Sequence, residues 1–207
     1  MIEWRTKRDR DMLVDLALLT GVTVHNLSRQ LSLTLDQQYQ LGLSSCLFPT
    51  HITMKQAFSY DGPIEPVVAV FDQFCKLVPP MDIVYEGVAC LSGDQGQTIV
   101  WLEIQPSKIL LDCHQALLDM VEEALGVKPG PYDGEAFKYH STLAQGFHPA
   151  HDLEVVQAAV KGLVQPFHAP VSHGVMLITP PHKPESIEHS VTYRMMRLTG
   201  ETLHKMA

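Results

Sequence analysis

The sequence predicts a protein of mixed helices and strands, built as two similar lobes around one cleft, and three observations carry that expectation. Two octapeptides match, HITMKQAF at 51–58 and HSTLAQGF at 140–147, identical at His, Thr, Gln and Phe. Each is followed by the same succession of helix, strand, loop and strand, 89 residues apart. Finally, 207 residues of which 45% are hydrophobic and 18% charged suffice to bury a core without disulfide or metal staples. The expected organisation is one bilobal domain over 1–207, the period being too long and the copies too few for a solenoid.

The elements follow in order. Leu13 to Leu19 is a compact apolar run ended by Thr20-Gly21, read as a first strand. Val24, Leu27, Leu31 and Leu35 then recur at spacings of three and four, which predicts a helix from about Thr23, with Thr23 as its cap. Pro49 pushes its predecessor toward extended geometry just before the first motif. On a strand, His51, Thr53 and Lys55 share one face while Ile52 and Met54 share the other.

Asp61-Gly62-Pro63 is a turn signal, and Val67, Val70, Phe71, Phe74 and Leu77 form the apolar stripe of a helix stopped by Pro79-Pro80. Met81 to Leu91 and Thr98 to Gln105 read as a hairpin. After Pro106-Ser107, Leu110, Cys113, Leu117 and Val121 mark the strongest helix, ending at Gly126. Phe137-Lys138-Tyr139 leads into the second motif. Asp152 caps a helix to about Leu163, and Val171 to Thr179 and Ser190 to Leu198 are the closing strands.

If the two His-x-Thr strands face one another, they support a definite chemistry. One imidazole can accept a proton from water while the other, protonated, donates to a leaving oxygen. A hydroxyl two residues along the same face can bond a nonbridging phosphate oxygen and hold phosphorus between the rings. His51 and His140 are thus the candidate acid–base pair, and Thr53 and Thr142 the candidate phosphate ligands. Lys55, Tyr60 and Tyr193 are further candidate substrate contacts, the tyrosines by stacking on a base. Phe58 and Phe147 are expected to fill the lobe interiors. Gln56 and Gln145 either orient each site or close its strand, the structural use being preferred.

This pair of motifs resembles the 2H phosphoesterase superfamily, which includes RNA 2',3'-cyclic phosphodiesterases, also called 2'-5' RNA ligase-like proteins. The resemblance implies an α+β fold of two pseudo-symmetric lobes, each with an antiparallel sheet and outer helices and with the active cleft between them. It carries the acid–base role to His51 and His140 and the phosphate role to Thr53 and Thr142. The implied activity is metal-independent cleavage of a 2',3'-cyclic phosphate or 2'-5' phosphodiester, with no cofactor, on a nucleotide or short RNA end. A noncatalytic nucleotide-binding module with the same cleft, or a metal-dependent hydrolase, are the alternatives.

Composition narrows the partners. Fifteen Lys plus Arg against 23 Asp plus Glu give a net charge of -8, which repels a long duplex nucleic acid. The charged first residues match neither a signal peptide nor a membrane span. Four well-separated cysteines, Cys46, Cys75, Cys90 and Cys113, fit reduced thiols in a cytoplasmic protein. His148 and His151, three apart, complete no metal-ligand cluster with neighbouring carboxylates or thiols.

Overall fold

A computed structural model describes residues 12–93, 96–134, 137–147, 152–180 and 190–201. Among the described residues there are seven strands and four α-helices, in the order β1 (Met12–Thr20), α1 (Val22–Tyr39), β2 (His51–Tyr60), α2 (Ile64–Leu77), β3 (Met81–Ser92), β4 (Thr98–Gln105), α3 (Lys108–Leu125), β5 (His140–Gly146), α4 (Leu153–Val160), β6 (Phe167–Thr179) and β7 (Val191–Arg197). A 3-10 turn at Ser44–Leu47 precedes β2. No described helix is long and apolar enough to cross a membrane.

All strand pairings are antiparallel, and the expected α+β class is what forms. The strands make one continuous sheet of order β2-β1-β6-β3-β4-β5, with β7 also on β6. The two halves are joined through β6. Its first residues, Phe167 to Val171, pair with β3, its later ones pair with β7, and β1 lies along its other edge. Each half of the chain runs strand, helix, motif strand, helix, strand: β1 to β3, then β4 to β6. The last strand of each half is exchanged, since β6 lies beside β1 and β3 beside β4.

The helices cross over in the same way. α1 packs on β5 and α3 packs on β2, so the helix leading into each motif covers the strand of the other motif. Val14, Leu16, Leu18, Ile52, Met54, Phe71, Phe74, Leu102, Leu117 and Leu143 are buried in one core between sheet and helices. Burying apolar side chains at about 1.5–3 kcal/mol each is the main term that holds helices to sheet. Ala17, Val175 and Leu177 form a small second cluster on the other face of β1 and β6.

Local chemistry explains the ends of α3. Ser107 Oγ accepts from Leu110 N at its start, and Gly126 closes it at φ 68°, where only glycine is unstrained. α1 begins differently from expectation: Gly21 is its cap, with no side-chain hydrogen bond, and Thr23 lies inside the first turn. α4 is shorter than the expected run to Leu163, with a turn at Lys161 and Gly162 at φ 76°. Phe58 is buried as expected, but Phe147 is 53% exposed just beyond the end of β5. Gly146 there passes so close to Leu41 that a Cβ would lie 2.6 Å from its carbonyl oxygen. The four cysteines are free thiols, with Cys75 and Cys113 buried.

Candidate active site

Both motifs lie on edge strands of the sheet, β2 and β5, and the curl of the sheet brings these edges against one another. A cavity of about 760 Å³ opens between them, and His51, Thr53, His140 and Thr142 all line it. The two histidines are fixed alike. His51 Nδ1 is 2.8 Å from Pro49 O, and His140 Nδ1 is 2.7 Å from Lys138 O, each two residues back along its own strand. A carbonyl can only accept, so Nδ1 carries the hydrogen in both rings and Nε2 is left as the working nitrogen.

Each motif strand carries a bulge directly after its threonine. In β1 and β2, Ala17 faces Thr53 but Leu16 faces Lys55, leaving Met54 as the extra residue. In β4 and β5, Trp101 faces Thr142 but Val100 faces Ala144, leaving Leu143 extra. One inserted residue reverses the side-chain alternation beyond it. The glutamine five positions after each histidine therefore returns to the cleft face, and Gln56 and Gln145 line the cavity. Strict alternation along the sequence puts them on the wrong side; the identical spacing in both octapeptides was the available signal.

The same reversal corrects the expectation for Lys55. It is turned off the cleft face and is 2% exposed, with Nζ 2.5 Å from Asp133 Oδ2. Its charge is neutralised by a loop carboxylate, and Lys55 is not among the residues that line the cavity. Tyr60 and Tyr193 are likewise absent from the residues that line the cavity. Tyr60 ends β2, and Tyr193 is half-exposed on β7. The aromatic side chains that do line it are Phe48, Tyr132 and Phe137. His168 and His173 lie on β6, while His148, His151, His182 and His189 fall outside the described residues. Among the described residues no group of three or more His, Cys, Asp and Glu is placed to hold a metal ion.

The bulges free backbone groups that must find partners inside the protein. Met54 O accepts from His114 Nδ1 at 2.7 Å, and His114 Nε2 accepts from Gly134 N at 3.0 Å. That donor and acceptor pattern requires a neutral ring, and burial holds the His114 pKa below the ordinary value, outweighing Met54 O and Asp133. In the other half Leu143 O accepts from the hydroxyls of Ser32 at 2.6 Å and Ser45 at 2.5 Å. Each bulge is thus held by a side chain from the crossing helix, His114 of α3 on β2 and Ser32 of α1 on β5.

One further residue faces the site that the sequence did not single out. Asp15 of β1 lines the cavity, with Oδ2 3.5 Å from His51 Nε2 and accepting a 3.3 Å hydrogen bond from Thr53 Oγ1. A single acid inside the apolar run Leu13 to Leu19 was the trace of it. Burial depresses the His51 pKa, but the hydrogen bond and charge of Asp15, with Pro49 O, overcome burial and Arg29 and raise it above the ordinary value. At His140 burial prevails: Lys138 O and the charge of Asp15 oppose it, the charge of His51 adds to it, and the pKa is lowered. Among the described residues Lys138 is the one lysine or arginine side chain lining this cavity.

The model of the 2'-5' RNA ligase superfamily matches residues 45–180, which contain both motifs. No curated protein matches the sequence. Among solved structures, that of TT0787 from Thermus thermophilus superposes with a TM-score of 0.63 at 18% identity, over 91% of this chain and 99% of that one. The E. coli LigT complexes with NADP+ and with 3'-AMP each superpose with a TM-score of 0.54 at 12% identity, over 92% and 91% of this chain and 99% of theirs. At such identities the likeness shows the fold.

Proposed function

The chain belongs to the 2'-5' RNA ligase superfamily, the 2H phosphoesterases, and from that premise we propose that it is a metal-independent phosphodiesterase acting on a 2',3'-cyclic phosphate or 2'-5' linkage. The observation that carries the reading is the convergence of His51, Thr53, His140 and Thr142 on one cavity from two opposed strands. One imidazole takes a proton from the attacking water, and the other gives one to the departing ribose oxygen. The Thr142 hydroxyl bonds a nonbridging oxygen, and the Thr53 hydroxyl bonds another as it turns from Asp15 Oδ2, so that phosphorus is held between the Nε2 atoms. The proton transfers and the anchoring of the phosphoryl group are all supplied by side chains.

The substrate is a nucleotide or a short RNA end. A 760 Å³ cavity has room for a nucleotide. Phe48, Tyr132 and Phe137 offer rings to a base, and Lys138, the one lysine or arginine in the lining among the described residues, suits one phosphodiester better than a run of phosphates. The nucleotides held in the LigT complexes support the same class of ligand.

The test is a screen of purified protein against 2',3'-cyclic nucleotides, 2'-5' oligoadenylates and short RNAs ending in a cyclic phosphate. Turnover is expected to persist in EDTA, and His51→Ala or His140→Ala to lower kcat/KM about 100- to 10,000-fold. Loss of activity in chelator with recovery on added zinc would overturn the metal-free reading. Binding of these ligands without turnover would replace it with a sensor of nucleotides.

A further inference from the structure

The repeat matches at its histidines and threonines, yet what surrounds the two histidines differs. On β2, one carboxylate oxygen, Asp15 Oδ2, faces both His51 Nε2 at 3.5 Å and Thr53 Oγ1 at 3.3 Å. On β5, the residue paired with Thr142 is Trp101, 6% exposed, whose ring lies 5.5 Å from that of His140 at a tilt of 53°. A carboxylate stabilises an imidazolium, whereas an indole wall removes water from an imidazole and stabilises its neutral form. The charged and titratable groups acting on His51 are Asp15 from β1 and Arg29 from α1. Those acting on His140 are His51 from β2 and Asp15. Asp15 Oδ1 is buried and has no hydrogen-bond partner among the described residues, so the carboxylate spends its polar contacts on His51 and Thr53 through a single oxygen.

We propose that Asp15 is a positioning residue that sets the two histidines to different tasks: it holds His51 as the proton donor, leaving His140, against Trp101, as the base. The inference rests on the phosphodiesterase reading of the cleft. In the hydrolytic step the water oxygen bonds to phosphorus as its proton passes to His140 Nε2. The bond from phosphorus to the ribose oxygen breaks as that oxygen takes the proton from His51 Nε2. His140 ends charged and His51 neutral, and exchange of one proton each with solvent resets them. The directions of the two pKa shifts, up at His51 and down at His140, agree with this order. They open a pH interval in which donor and base are both in the working form.

The test is a proton NMR titration of the histidine rings in the wild type and in Asp15→Asn, which keeps the side-chain shape, alongside the pH profile of kcat/KM. His51 is expected to titrate above His140 in the wild type. In Asp15→Asn the His51 titration should fall by about one pH unit or more, a tenfold loss of proton affinity. His140 should move less, and the alkaline limb of the activity profile should move down further than the acid limb. A His51 titration unchanged by the substitution, a wild-type His140 that titrates above His51, or reduced activity with both limbs in place would overturn the proposal. The titration needs no substrate, so the two readings fail separately. An unmoved titration in an active enzyme removes the role of Asp15. A shifted titration in a protein that cleaves nothing supports the hold of Asp15 on His51 and removes the phosphodiesterase.

Discussion

At the scale of single residues, the pair Lys55 and Asp133 is the most exacting contact outside the cleft. Both side chains are buried, and Asp133 also accepts from the backbone N–H of Gln56 at 2.9 Å and of Gly130 at 2.6 Å. Burial alone would raise the Asp133 pKa, but Lys55 and the two N–H groups outweigh it and lower it. A carboxyl depressed in the folded state stabilises the fold above the ordinary carboxylate range and loses that contribution as pH falls through roughly 4 and below. Removing one partner of a buried pair leaves the other charge without compensation. Asp133→Asn is therefore expected to lower stability by about 3–5 kcal/mol in urea unfolding, and addition of Lys55→Met to restore much of it. Equal losses in the single and double variants would show that the backbone hydrogen bonds, rather than the charges, hold the loop.

At the scale of elements, the bulges after Thr53 and Thr142 decide which side chains line the cavity. Gln145 reaches the cavity because Leu143 is extra in β5, and the freed Leu143 carbonyl is held by Ser32 and Ser45. If Gln145 bonds the substrate, Gln145→Leu should raise KM about threefold to tenfold, the worth of one hydrogen bond, with kcat little changed; steady-state kinetics on the best substrate of the screen reads this directly. The hairpin β3 and β4, the helix α3 between Ser107 and Gly126, and the four His and Thr positions were legible in the sequence, because period, caps and repeat are local signals. The bulges were not, since an extra residue is defined only against its cross-strand partner. Lys55 was misplaced for that reason, and Asp15, visible only as one acid in an apolar run, gained a role once β1 and β2 were set in register.

At the scale of the molecule, two halves of like element order could be read from the repeat, but the exchange of β3 and β6 into one continuous sheet could not, because periodicity names a strand and not its neighbour. The β3–β4 connection around 93–97 is the one place where the chain passes from the first half to the second. Fragments cut there, 1–95 and 96–207, each lack the strand that completes their own part of the sheet. Each alone is expected to give no cooperative unfolding transition by circular dichroism, and an equimolar mixture to regain one. A cooperative transition from either fragment alone would show that a half is self-sufficient.

The exchange also bears on how the two halves can differ. Neither half has a sheet of its own, so a backbone change in one is felt by the strands of the other. The difference between the two histidines lies instead in side chains, Asp15 beside His51 and Trp101 beside His140, which can be altered one at a time without disturbing the shared frame.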